Sequence, residues 1–277
     1  MAGIILSRVS KAIVWAFLAA LVIIVVYPLV WMFLNGFKSN AELFTNPFSF
    51  PTDLNPDAYV AAWEAGVKDY LGVSILVTVT STITTVLISA WAAYGLSRIE
   101  IPMSRFLLVA ILAGLMLAPA VTLIPLVQLL QSMGIYNTWW ALLVLYTAFR
   151  VPFTTFLIRS YMVDLPREID EAAAIDGASR ARTFWQIILP MCRPIVISAV
   201  LLHILFAWNE YLFALVFLGS SGDAATLPVG LTTLMGKQLV EYDVVFAGMT
   251  IAALPILVLF FAGQRYFIRG LSDGVGK

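Results

Sequence analysis

Six long apolar runs constrain this chain more than any other feature. They lie near residues 12–34, 71–97, 105–127, 139–161, 194–218 and 245–267. A helix needs about 20 apolar residues to cross the hydrocarbon core of a bilayer, and each run is of that order. The runs are continuous rather than alternating, which argues against the strands of a barrel. Composition agrees with this. Hydrophobic residues make up 61% and charged residues 12%, against roughly 45–50% and 25% in ordinary soluble domains. The expected fold class is an all-α polytopic membrane protein with six transmembrane helices. The first run follows Arg8 and Lys11 and exceeds the apolar core of a signal peptide, about 7–15 residues, so it is expected to be a retained span. The net charge is zero, which suggests no nucleic-acid partner. Cys192 is the single cysteine, so neither an internal disulfide nor a metal cluster is expected.

An even number of spans puts both termini on one side, and positive charge chooses the side. Segments on the terminal side hold Arg8, Lys11, Arg98, Arg105, Arg159, Arg167, Arg180, Arg182, Arg193, Arg265, Arg269 and Lys277. The opposite side holds Lys38, Lys68 and Lys237, and Arg150 falls inside a span. The asymmetry predicts cytoplasmic termini. It also predicts that the long polar stretch 162–193 is a cytoplasmic loop. Residues 1–70 then form the first span and an outer segment, 71–267 a five-span core, and 268–277 a short tail.

The outer segment 35–70 is broken into turns by Asn46-Pro47, Phe50-Pro51 and Asn55-Pro56. It reads either as a small cap or as a solvated loop. In the second span Thr78, Ser81, Thr82, Thr85 and Ser89 share one helical face. Small hydroxyl residues let membrane helices approach closely, and packing or a polar path would both use them. Pro119 and Pro125 predict a kink or break in the third span.

Arg150 in the fourth span, and His203 with Trp208, Asn209, Glu210 and Tyr211 in the fifth, are polar or ionisable groups within the membrane region. A charge at mid-bilayer costs at least roughly 2.5–3.5 kcal/mol, so it faces a cavity or a partner. At 1.5 Å per residue Arg150 is about 16 Å from the outer start of its span and Glu210 about 12 Å from the outer end of its own. An Arg150–Glu210 interaction fits those depths. A packing network and a solute path remain alternative readings, with Arg150, Trp208, Asn209, Glu210 and Tyr211 as the path candidates.

The stretch 171–190, EAAAIDGASRARTFWQIILP, is polar and charged between apolar segments. Asp164 and Pro166 are start signals for a helix. Glu168, Asp170 and Glu171 suit its positive end, and Gly177 its stop. Ser179 is the cap of a second helix, on which Ala181, Phe184, Trp185 and Ile188 make an apolar stripe. Such a helix either docks in a partner's groove or lies on lipid headgroups.

The spacing Glu171-Ala172-Ala173, three residues, Gly177, nine residues, Ile187, one residue, Leu189-Pro190 resembles the loop motif of the membrane subunits of bacterial ABC importers. LMLAPAVTLIPLVQLLQSMGIYNTWWALLV, AWNEYLFALVFL, TLPVGL and QRYFIRGLSDGVGK are similar to the maltose-permease type of carbohydrate importer. The resemblance covers spans two to six. It implies the type I importer fold in a bacterial cytoplasmic membrane, and pairing with a second permease. It also implies two docked ATPase subunits and a soluble binding protein that delivers a carbohydrate. On it, Glu171, Ala172, Ala173, Asp176, Gly177, Phe184, Trp185, Leu189 and Pro190 make the ATPase contact. The tail departs from the family's small-residue ending at Asp273 to Lys277. No G-x-x-x-x-G-K-[ST] loop is present, since Gly236-Lys237 is followed by Gln238. ATP and magnesium are therefore expected in the partner ATPase and no cofactor in this chain.

Three rival functions draw on other residues of the chain. An intramembrane serine hydrolase would use Ser221 in Gly219-Ser220-Ser221-Gly222 with His203 as base, but the pair lacks hydrogen-bond reach. A proton-coupled transporter would use His203 or Glu210. A permease of the same superfamily for a non-sugar solute, such as a phosphorylated polyol, is the third.

Overall fold

The computed structural model describes the backbone of residues 2–218, 225–236 and 240–275, and the side chains of 11–218, 225–236 and 240–264. The Ser220–Ser221 pair of the hydrolase reading, Lys237 and the last two residues fall outside these. Helix is the only regular secondary structure among the described residues, with turns between the helices and no strand. Four helices are long and apolar enough to cross a membrane: Lys11–Asn35, Asp57–Arg98, Trp139–Val163 and Tyr242–Gln264. Two sharply bent pairs, Ser104–Met116 with Pro119–Ser132 and Arg180–Met191 with Arg193–Asn209, raise the count to six.

The chain forms two compact units, 1–67 with 231–253 and 68–230 with 254–277. In the first, α1 (Ala2–Asn35) is followed by α2 (Asn40–Thr45) and α3 (Asp57–Ala62). The segment after α1 is an ordered cap rather than a loose loop. Lys38 is buried and donates to the carbonyls of Asn46 (3.0 Å) and Pro47 (3.2 Å). Trp31 Nε1 donates to Pro47 O at 2.8 Å, and Tyr59 Oη to Phe33 O at 2.8 Å. These bonds satisfy carbonyls that the proline turns leave free. A widened turn at Trp63–Val67 ends the unit, with Gly66 at φ +114°. That value is one a side chain with a Cβ adopts only with strain.

The second unit is built on α4 (Lys68–Arg98) and α7 (Trp139–Val163), which run along each other, with α11 (Arg193–Asn209) packed on both. The hydroxyl face of α4 is the packing seam. Ser81, Thr85 and Ser89 are fully buried, with Thr78 and Thr82 nearly so. Ser81 Oγ lies 3.1 Å from His203 Nε2, and Ser89 Oγ donates to Val151 O at 3.4 Å. Between α4 and α7 the chain forms α5 (Ser104–Ala113), a tight turn at Gly114–Met116, an extended Leu117, and α6 (Pro119–Ser132). The two halves meet at 99°. Pro119 heads α6, where its missing N–H costs nothing, while Pro125 sits inside α6 without breaking it.

The fifth apolar run differs from the continuous span 194–218 expected of it. Helix α11 stops at Asn209, Glu210 is extended (φ −69°, ψ 127°), and α12 (Leu212–Phe217) begins anew. Further on are α13 (Leu227–Met235) and α14 (Tyr242–Val275), which carries Pro255 inside it. The backbone of 268–275 continues α14 as helix, so the expected separate tail is largely an extension of the last span.

Candidate functional site

Two features of the second unit hold the sequence-predicted residues: the polar stretch after α7, and the break between α11 and α12. Asp164 closes α7 instead of capping the next helix, with its N–H bonded to Tyr161 O at 3.2 Å. The polar stretch therefore starts later than its Asp164-Pro166 signal predicted. Helix α8 (Glu168–Ile175) has Arg167 at its N-cap and no side-chain cap bond. Glu168, Asp170 and Glu171 in its first turn complement the helix dipole instead. It ends at Gly177, φ +75°. Ala178 N–H returns to Ala173 O at 2.9 Å and Gly177 N–H to Ala174 O at 3.1 Å, the Schellman pattern that glycine favours.

Ser179 caps the next turn, its Oγ accepting Arg182 N–H at 3.3 Å. Helix α9 (Arg180–Thr183), a widened turn over Phe184–Ile188 and α10 (Leu189–Met191) complete the stretch. The chain then bends by 79° into α11, with Pro194 in its first turn.

The apolar stripe of 181–188 is divided. Phe184 and Ile188 are buried in a cluster with Ala90, Ala93, Tyr94, Ile158, Met162 and Cys192. Phe184 stacks edge-on to Trp91 at 5.9 Å and lies 5.2 Å from the Tyr94 ring. Ala181 and Trp185 stay exposed. Phe184 was expected at the partner surface; it faces inward because α4 offers it an aromatic wall. In α8, Glu171, Ala172, Asp176 and Gly177 are exposed and Ala173 is buried, while Leu189 and Pro190 are half-buried.

Two residues of this stretch escaped the sequence reading. Ile175 is 87% exposed at the free end of α8. Its only signal was an aliphatic side chain beside Asp176 in a polar loop. Arg98 holds α8 from within. Its guanidinium pairs with Asp170 at 3.0 Å and donates to the carbonyls of Met162 (2.6 Å), Leu165 (2.8 Å) and Pro166 (3.3 Å). One buried side chain thus closes the end of α7 and ties α8 to α4. Tyr94 Oη adds a bond to Arg180 O at 3.3 Å.

At the other feature, Glu210 does not meet Arg150. The only ion pair found among the described residues is Arg98–Asp170. Glu210 Oε1 accepts Phe213 N–H at 2.8 Å, and Oε2 accepts Ala214 N–H at 3.1 Å and Tyr146 Oη at 2.8 Å. The carboxylate thereby caps α12, which is why the helix can break within an apolar run that has neither glycine nor proline there. Arg150 lies between two rings, its Cζ 4.8 Å from the centroids of both Phe153 and Phe206. Its Nε is buried with no hydrogen-bond partner. Phe206 also meets the rings of Tyr146 (5.6 Å) and His203 (6.1 Å). Trp208 is buried, and the exposed groups at the break are Asn209 and Tyr211. Tyr146, Phe153 and Phe206 carried no sequence signal beyond being aromatic in apolar runs.

Comparisons with known proteins point one way. The family model described as "Binding-protein-dependent transport system inner membrane component" matches residues 85–273. The chain is 42% identical over 269 residues to the probable ABC transporter permease protein YurM of Bacillus subtilis, covering 97% of this chain and 89% of that one. It is 34% identical over 271 residues to the diacetylchitobiose uptake system permease protein NgcG of Streptomyces coelicolor, with the same coverage. A crystal structure of a bacterial ABC transporter involved in import of the acidic polysaccharide alginate has a chain of the same fold. That match has a TM-score of 0.82 at 21% identity and covers 94% of this chain and 97% of that one.

Proposed function

Because the chain belongs to the family of binding-protein-dependent transport system inner membrane components, the permeases of ABC transporters, we propose that it is a permease subunit of an ATP-driven carbohydrate importer. It would work in a bacterial cytoplasmic membrane, with both termini and α8 on the cytoplasmic side. Carbohydrate is favoured by the named solute of a relative similar over 97% of this chain. In this reading a second permease completes the path and a soluble binding protein delivers the sugar. Two ATPase subunits, which hold ATP and magnesium, dock beneath. This chain is then a transport subunit, with hydrolysis elsewhere.

The observation that carries the proposal is the build of α8. Its outer side presents Glu171, Ala172, Ile175 and Asp176, while its inner side is fixed through Arg98 and Asp170. An exposed aliphatic tip on a rigidly held short helix suits a groove in a partner. Movement of α8 passes to α4 and α7 through Arg98, and movement of α9 to α4 through Tyr94 and to α11 through Phe184 and the bend at Pro190–Pro194. ATPase closure on ATP draws the α8 helices of the two permeases together as a pair of handles and opens the path outward; hydrolysis resets it. The break at Glu210 supplies Asn209 and Tyr211 as solute-facing groups, with Trp208, Glu210 and Arg150 behind them.

One observation favours a narrower solute class. Arg150 has no acidic partner among the described residues. Cation–π contact, about 0.5–2 kcal/mol each, stabilises its faces but leaves its hydrogen-bonding edge for an anion. This supports an acidic sugar, such as a uronate or a phosphorylated polyol, over a neutral one.

The test is Ile175→Asp in the chain expressed with its neighbouring transport genes. The expected result is loss of the co-purifying ATPase and at least about a tenfold fall in uptake, the equivalent of ~1.4 kcal/mol. Intact assembly and uptake would remove the handle. Uptake that instead collapses with the proton gradient and needs no ATPase would favour the secondary transporter. Arg150→Gln separates the solute classes: it abolishes uptake of an acidic sugar and spares a neutral one.

A further inference from the structure

The inner ends of α4 and α7 and the start of α5 enclose a cavity of about 670 Å³. Its charged lining is Arg98, Arg105, Arg159 and Arg167 against Glu100. Arg98 spends both Nη groups on Asp170 and the carbonyls of Met162, Leu165 and Pro166, and its Nε, like that of Arg159, is buried with no hydrogen-bond partner. Arg98 is only 3% exposed, so this is a built wall and not a surface cluster. No carboxylate pairs with Arg105, Arg159 or Arg167 among the described residues. Unsatisfied buried guanidinium donors are costly, and the forks that Arg105, Arg159 and Arg167 bring to the cavity suit the oxygens of a phosphate.

The surroundings of the cavity are apolar and exposed in this chain. Phe156, Arg159 and Val163 share one face of α7 by their spacing, and Phe156 (48%) and Val163 (52%) are exposed. Beside Arg105, Met103 (68%) and Phe106 (62%) are exposed as well. The site thus joins a cationic, hydrogen-bond-hungry pocket to an apolar margin at the end of membrane-crossing helices. We propose that this cavity binds the phosphate of an anionic phospholipid, whose acyl chains lie along Phe156 and Phe106. Free phosphate shares the headgroup chemistry, but it leaves the apolar margin unused. Basic pockets between helix ends are the places where such headgroups are held. The site lies against the same Arg98 that clamps α8, apart from the solute path at Arg150 and Glu210, and its occupancy does not depend on which solute is carried.

The experiment uses the full chain with its co-purifying subunits, exchanged into nanodiscs of equimolar phosphatidylglycerol and phosphatidylcholine. Lipids that survive extraction are counted by native mass spectrometry. Phosphatidylglycerol is expected to be retained preferentially. Arg159→Gln is expected to weaken that preference about fivefold and Arg159→Gln/Arg167→Gln to remove it, at the scale of one surface cation each. Arg182→Gln takes a charge from the same end of the bundle outside the cavity and should change nothing. Where Arg159→Gln fails to assemble, Arg105→Gln on an exposed side chain should still lower retention. Equal retention of the two lipids, or a preference unmoved by these variants, overturns the proposal. In discs of phosphatidylcholine alone, millimolar inorganic phosphate should not raise thermal stability. If it does so as well as phosphatidylglycerol, the ligand is free phosphate and the lipid assignment fails. The readout contains no transport step, so its failure is separate from failure of the importer reading.

Discussion

The chain turns sharply at Gly177 and again at Glu210, and the two turns are built on opposite principles. At Gly177 the backbone does the work. A positive φ, a Schellman pair of hydrogen bonds and the Ser179 cap end one helix and start another in polar surroundings. At Glu210 a side chain does it. There the backbone is extended, with no glycine or proline at the break, and a carboxylate collects two amide donors and a tyrosine hydroxyl. The first turn faces water, which satisfies whatever the cap leaves over. The second lies in an apolar run, where every freed amide must find a partner within the protein. The comparison predicts that a loop turn tolerates loss of its signal residue better than a break within an apolar run does.

The largest expected effect follows from this. Glu210→Ala leaves Tyr146 Oη and the first-turn amides of α12 without their acceptor. It is expected to cost about 3–5 kcal/mol, several buried partners at about 1–3 kcal/mol each. Thermal unfolding in detergent measures it; a loss below that of the Gly177 change described next would break the contrast between the turns. Gly177→Val forces a β-branched residue to φ +75°, a strain of about 1–3 kcal/mol. The space around its Cβ is open, so the strain is local. Stability should fall modestly; on the proposed importer reading ATPase co-purification falls strongly, because the end of α8 is re-aimed. The smallest effect is Tyr146→Phe, about 1–2 kcal/mol. It removes one of three bonds to Glu210 and keeps the ring against Phe206. If Tyr146→Phe equals Glu210→Ala, the carboxylate acts through the tyrosine and not as a helix cap.

Similar reasoning separates what was legible from what was not in each region. The stretch 171–190 was readable as two short helices because its residues act through local geometry: Gly177 stops a helix, Ser179 caps one, and their spacing to Leu189-Pro190 is fixed along the chain. The inward turn of Phe184 was not, since the stripe 181–188 is equally apolar whichever way it faces. Only the aromatic wall of Trp91 and Tyr94, some 90 residues earlier, decides it. Arg98 counted in the sequence as one more positive charge, and its grip on Asp170 spans 72 positions. The expected Arg150–Glu210 contact rested on depth alone. Depth along two helices leaves their rotation free, and rotation put Glu210 against Tyr146 and Arg150 between two rings.

The sequence by itself determined the helical membrane class, the six apolar runs, the break before Pro119 and the turn at Gly177 between two short helices. All of these follow from length, hydropathy and the conformations of glycine and proline, which need no knowledge of neighbours. Only the tertiary structure decided which polar groups share a site. It turned the hydroxyl face of α4 into a packing seam, broke the fifth run at Glu210, and gathered Arg98, Arg105, Arg159 and Arg167 around one cavity. A buried polar group must be paired, and the partner is chosen by the rotation and approach of helices distant in sequence. Those quantities are set when the helices pack and not when the chain is written.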